Sequence, residues 1–537
     1  MSALFMLATL VAYFFVLLLI SRRAACRGAQ GNDAFFRAGR QSPWWLVAIG
    51  MVGASISGVT FISVPGWAAS TGMTYLQMCM GFIVGYAVVA LVLLPLYYRL
   101  RLTSIYAWLD TRFGASTHRT GALFFVLSKL TGAAARLYLV CLVLHGFVVR
   151  PLCGESFFSF LLTVLAVLGL IWLYTRRAGI QAIVRTDALQ TCCLILAAVG
   201  ILWAAAQTME LDFSGVVQTV RESPMCRVWE WDWTSRQAFW RQFLSGVFIV
   251  VVMTGLDQDM MQKNLTCRHL RDAQKDMLTY GLAFLPVNAL FLALGILLYT
   301  LCAREGITPP AVSDELLPWL VSEGVLGGWV IVPFTIGIVA AAFSSADSAL
   351  TALTTTVCID LLKVEDGHTD PASARRIRRR VHLALVFTFT ACIVFFKTVG
   401  NDNILNAIYT MASYTYGPLL GLYAFGLYTR WQPTDRFVPY VCLAAPILCG
   451  LLDYVAPRWW NYHFGYELLM LNGVLTFVGL WALRRSGNQA RCRKKNRHTF
   501  KAQRLKKRKC RRRCGMRVSY AFYKSRSCFS YSPSSEK

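Results

Sequence analysis

Thirteen long apolar runs constrain this chain more than any other feature. They lie at 3–20, 44–68, 72–98, 121–149, 158–174, 179–206, 237–260, 276–302, 325–357, 381–398, 402–426, 437–455 and 466–484. Each approaches or exceeds the ~20 residues that a helix needs to cross a hydrocarbon core. With 56% hydrophobic and 15% charged residues over 537 positions, the chain reads as an all-α polytopic membrane protein with about 13 transmembrane helices. In lipid every backbone polar group must be satisfied internally, so the runs can be helices and little else.

Charge sets the expected orientation. With the N-terminus outside, the predicted inner loops carry 23 Lys and Arg, from Arg22 to Arg436 and including Lys263, while the outer loops carry 6. Basic residues favour the cytoplasmic side. The run 3–20 has no basic residue before it and Arg22 and Arg23 after it, which suits a retained helix better than a cleaved leader. The segments read as follows: 1–43, a leading helix and inner loop; 44–206, five helices; 207–236, an outer loop; 237–426, five more; 427–484, two further helices; 485–537, a tail. Five helices in each group force opposite orientations, the arithmetic of an inverted repeat.

The net charge of +27 is mostly local. From Arg484 onward, 20 Lys and Arg face one acid, Glu536. Such a tail is expected to be disordered and to attract anionic lipid headgroups, and it gives no specific nucleic-acid signature. The 17 cysteines are scattered through apolar runs as small hydrophobes, with Cys153–Cys226 the one external pairing worth considering. No nucleophile–base pair, redox motif or transition-metal ligand spacing stands out, so an enzyme is not expected.

Chemistry concentrates in three runs. In AAAFSSADSALTALTTT, residues 340–356, helical spacing puts Ala341, Ser344, Ser345, Ser348, Ala352 and Thr355 on one face, with Asp347 at its edge. That stripe suits either a tight helix–helix seam or a cation site of carbonyl and hydroxyl oxygens. In GMVGASISGVTFISVPGW, residues 50–67, Gly, Ser and Pro65-Gly66 suit a broken helix that frees carbonyls near the midplane. In GIQAIVRTDALQ, residues 179–190, Asp187 is a deep carboxylate that needs a partner: Arg185, a hydroxyl, or Arg136 from TGAAARLYLV. Arg136 could equally clamp a carboxylate on a solute. Lys129 is expected to snorkel, and Asp257 and Asp259 to order an inner loop or gate.

These segments resemble the sodium:solute symporter family, in a bacterial-type member, over roughly 30–430. The resemblance rests on NDAFFRAGR (32–40), ASISGVTFISVPG (54–66), LLPLYYRLRLTSIYAWLDTRFG (93–114), GIQAIVRTDALQ (179–190), DQDMMQKNLTCRHLRDAQK (257–275) and FSSADSAL (343–350), in the family's order. It implies a LeuT-type core of five plus five helices with flanking helices. It implies sodium-coupled import of a small organic solute by alternating access, across the plasma membrane (a bacterial inner membrane), with the C-terminus cytoplasmic. It also implies a main Na+ site of the Gly53, Ile56 and Ala341 carbonyls with the Ser344 and Ser345 hydroxyls. A second Na+ site would draw on Asp187, Ser344, Asp347 and Ser348, although Asp347 stands where some relatives have a hydroxyl. Solute contacts are expected among Ser55, Ser57, Thr60, Tyr75, Gln77 and Arg136, with an anionic solute favoured if Arg136 faces the cavity. The same fold can also serve as a sodium-responsive sensor or an uncoupled channel.

Overall fold

Each apolar run coincides with a helix. The computed structural model describes residues 3–27, 32–364, 370–399, 404–460 and 462–484. The tail from 485 lies outside the described residues. The principal helices are α1 (Ala3–Arg27), α2 (Trp44–Ser55), α3 (Gly58–Thr71), α4 (Tyr75–Leu100), α5 (Ala115–Cys153), α6 (Phe157–Ala178), α7 (Ile180–Thr208), α8 (Phe239–Gly255), α9 (Gln258–Asn264), α10 (Leu270–Arg304), α11 (Gly328–Leu361), α12 (Pro371–Val399), α13 (Ile404–Tyr428), α14 (Val438–Trp459) and α15 (Leu468–Ala482). Among the described residues, nine single helices are long and apolar enough to cross a membrane. Counting each of the two bent pairs as one span raises that to eleven.

The bent pairs are α2–α3, at 60°, and α8–α9, at 70°. In the first, Ile56 (φ −81°, ψ 90°) and Ser57 (φ −77°, ψ 167°) leave helical geometry, and the Ser57 hydroxyl accepts from the Thr60 N–H. The break therefore falls before Gly58, whereas Pro65 sits inside α3 without interrupting it. The second break was not expected, because 237–260 reads as one uninterrupted span. There Asp257 is extended (φ −101°, ψ 120°), and its carboxylate accepts from the Asp259 N–H to start α9.

These pairs cross the interior beside the helices they need. α7 packs along both α2 and α11, α3 along α10, α8 along α4, and α13 along α5 and α15. Contact between α2 and α7 is close enough to require glycine: a Cβ on Gly53 would lie 2.0 Å from Thr191 Oγ1. Thr191 itself donates to the Ile49 carbonyl at 2.9 Å, tying the two helices in register.

One end of the bundle is closed by the loop 101–114. Gln258 accepts from the Ile105 N–H at 2.9 Å and donates to the Thr103 carbonyl at 2.9 Å. Tyr97 and Tyr106 donate to the Gly255 and Leu256 carbonyls, and Tyr423 donates to the Ile105 carbonyl. Buried Asp360 holds Ser104 at 2.5 Å and His118 at 2.8 Å. Toward the other end, Trp67, Thr71, Gln237, Asp314, Asp453 and Tyr466 are among the residues lining a vestibule of about 730 Å³. Cys153 and Cys226 are both free thiols, so the bridge considered from sequence does not form.

Candidate ion and solute site

The broken α2–α3 pair meets α11 at the serine stripe. A helix end leaves its last carbonyls without intrahelical partners. Among the described residues, neither the Gly53 nor the Ile56 carbonyl accepts a backbone hydrogen bond. The neighbouring Ala54 carbonyl accepts from Ser345 Oγ at 3.3 Å, which brings α11 onto the break. Ser344 Oγ donates to Asp187 Oδ1 at 2.9 Å. Both hydroxyls thus spend their proton on protein acceptors and keep oxygen lone pairs. Buried orphan carbonyls beside such hydroxyls fit a hard monovalent cation. Ala341, one turn before Ser345, is 2% exposed on the same helix.

Asp187 has a partner that the sequence did not suggest. Lys263, on the last turn of α9, places Nζ 2.7 Å from Asp187 Oδ2, with both side chains buried. At that distance the buried ammonium neutralises the buried carboxylate directly. Arg185 is exposed and Arg136 lies elsewhere, so neither serves Asp187. Asp347 and Ser348 follow on α11, and Asp347 interacts electrostatically with both Asp187 and Lys263. Lys129 does not snorkel either; it is buried against Asp257 at 3.0 Å and Asp259 at 2.7 Å.

Beside the break lies a cavity of about 100 Å³, its walls including Ser55, Thr60, Tyr75, Tyr86, Arg136 and Tyr280. Four of the six expected solute contacts therefore share it. Ser57 is instead the α3 cap. Gln77 is committed to the outer loop, donating to the Gln237 carbonyl at 3.0 Å and accepting from the Glu230 N–H at 3.2 Å. A hydroxyl chain that sequence reading missed runs along one wall: Ser55 bonds Tyr280, and Tyr86 donates to Tyr280 at 2.6 Å. Tyr416 also faces the cavity and donates to Asp257 at 2.7 Å. Arg136 has no ion pair or hydrogen bond among the described residues, unlike Lys129 and Lys263. Tyr75 lines both the cavity and the vestibule, so it stands between them.

The profile of the sodium:solute symporter family matches residues 35–433. The chain belongs to that family. It is 23% identical over 438 residues to the human sodium/iodide cotransporter, a match covering 79% of this chain and 64% of that one. Over 424 residues it is 24% identical to the sodium/sialic acid symporter of Aliivibrio fischeri, covering 75% of this chain and 79% of the relative. The solved structure of a Na+-coupled sialic acid symporter, substrate-bound and outward-open, superposes with a TM-score of 0.73. At 19% identity that match covers 88% of this chain and 96% of the other. The fold is accordingly LeuT-like. The related symporters are sodium-coupled, and sodium is the coupling ion they point to. The family is made of transporters, not enzymes.

Proposed function

We propose that this member of the sodium:solute symporter family imports a small organic anion together with sodium. The carrying observation is Arg136, a guanidinium on the cavity wall that makes no ion pair or hydrogen bond among the described residues. An unpaired cation at membrane depth is costly and by default functional. Its planar fork suits a carboxylate, and the Ser55–Tyr280–Tyr86 hydroxyls that line the same cavity can bond the rest of a polar solute. Both relatives named above carry anions by the words of their names, iodide and sialic acid.

Sodium enters with the solute as cargo. The Gly53, Ile56 and Ala341 carbonyls and the Ser344 and Ser345 hydroxyls hold it, which fastens α2 and α3 to α11. Ser55, beside those carbonyls, shares the cavity wall with Arg136, so ion and solute complete one another's sites. The five-plus-five grouping supports alternating access, in which the bonds of the 101–114 loop to Gln258 and Leu256, and that of Tyr97 on α4 to Gly255, part as the vestibule closes. Charge bias supports the N-terminus outside and the closed end facing the cytoplasm. With Lys263 and Arg378 removed from the loop count because they are buried, 21 basic residues still face 6. A bacterial inner membrane and contact of the basic tail with anionic lipid belong to the same reading.

Uptake into proteoliposomes with and without an inward sodium gradient tests the coupling, and separates a symporter from a sensor or an uncoupled channel. Arg136→Ala should lower uptake of the anionic solute at least tenfold, and the Ser55 wall should then serve neutral analogues as well as before. Unchanged anion uptake would return Arg136 to a structural role.

A further inference from the structure

At the second sodium position expected from the sequence, a buried lysine already stands 2.7 Å from Asp187. Each of its four carboxylate oxygens already faces a protein group. Asp187 Oδ1 accepts from Ser344 Oγ at 2.9 Å, and Asp187 Oδ2 faces Lys263 Nζ at 2.7 Å. Asp347 Oδ2 accepts from Tyr174 OH at 2.6 Å, and Asp347 Oδ1 from Ser348 Oγ at 3.2 Å. The side chains of Asp187 and Lys263 are 0% and 1% exposed, so water does not screen a further positive charge there.

We propose that the Lys263 ammonium stands where a second sodium would sit, so that this chain carries its second cation covalently and couples one sodium ion per solute. The inference rests on the sodium-coupled reading above and deepens it. An ammonium and a sodium ion are both monovalent and both satisfy a buried carboxylate. The ammonium lies 2.7 Å from Asp187 Oδ2, close enough to neutralise that carboxylate where a bound ion otherwise would. Nor is the ammonium on a loose arm, because its neighbours on α9 fix the helix on both sides. Gln262 donates to the Phe36 carbonyl at 2.9 Å and to Thr355 Oγ1 at 3.1 Å. Asn264 donates to the Ala273 carbonyl at 3.0 Å and to Asp276 at 2.6 Å. Asp259 adds a second, weaker hold on Lys263 Nζ at 4.0 Å.

Equilibrium binding of radioactive sodium to the purified full chain counts the ions directly, without transport. The wild-type protein should bind one sodium per chain with no cooperativity. Lys263→Met keeps the length and removes the charge, leaving Asp187 to recruit an ion, so the count should rise to two. The paired variant Lys263→Met/Asp187→Asn removes both charges and should return the count to one. It also covers the case in which the single variant fails to fold. Two ions on the wild type, one ion on a folded Lys263→Met variant, or two on the paired variant would each overturn the inference. No sodium on the wild type would overturn the sodium-coupled reading as well, which separates the two failures.

Discussion

Ser344 and Ser345 are adjacent, yet they do different work. Ser345 reaches the α2 break through the Ala54 carbonyl, whereas Ser344 leans on Asp187. Replacing Ser345 by Ala removes an oxygen ligand and leaves no buried charge unpaired. Sodium affinity should then fall by roughly ten- to a hundredfold, taking about 1.5–3 kcal/mol for a bond to a charged group, with little change in melting temperature. Adding Ser344→Ala should abolish sodium dependence and also lower the melting temperature, because Asp187 Oδ1 loses its donor. Sodium titration of uptake and thermal unfolding of the two variants check both outcomes, and wild-type sodium affinity in the double variant would remove these serines from the site. The 341/344/345 face was legible in the sequence because helical spacing is local. The partner of Asp187 was not. Lys263 lies on another helix behind a break, and its position beside basic residues in an inner loop made it look solvated. Hydropathy also misread Lys129, because it cannot report Asp257 and Asp259 folding back onto α5.

At the scale of elements, the two breaks do the positioning. The first was legible because Gly53, Ser55, Ser57 and Gly58 cluster within it, although Pro65-Gly66 is the stronger breaker signal and the helix continues there. The second was hidden because the run from Phe243 to Leu256 carries no charge, and Asp257 alone breaks that pattern. The Gly53 approach to Thr191 provides a test of how far the first break tolerates displacement. Gly53→Ala should destabilise the protein by about 1–3 kcal/mol through overpacking and weaken sodium binding, since α2 must move off α7. Gly169→Ala, on α6 where a Cβ meets nothing within 4 Å, should instead stabilise by about 0.5–1 kcal/mol. Thermal melts of the pair, with sodium present and absent, read both effects. Equal behaviour of the two variants would mean that the α2–α7 contact is not constraining the ion site.

At the scale of the whole molecule, the closed end and the vestibule lie on opposite sides of the cation-bearing layer. Lys263 links these scales, since it belongs to the second break but answers to an acid on α7 and, through Asp187, to a serine on α11. Its consequence reaches the driving force. A charge that never leaves the protein is not carried across. If one sodium accompanies one monovalent anion, a completed cycle transfers no net charge. The ~2.3 kcal/mol that each elementary charge gains per 100 mV is then out of reach. Steady-state accumulation should equal the sodium concentration ratio, tenfold for a tenfold gradient, and should not change when a potassium diffusion potential is imposed on the vesicles. With two sodium ions the same anion would be drawn in by voltage. The buried Lys263–Asp187 pair would therefore make this an electroneutral carrier, one whose uptake follows the salt outside the cell and ignores the potential of its membrane.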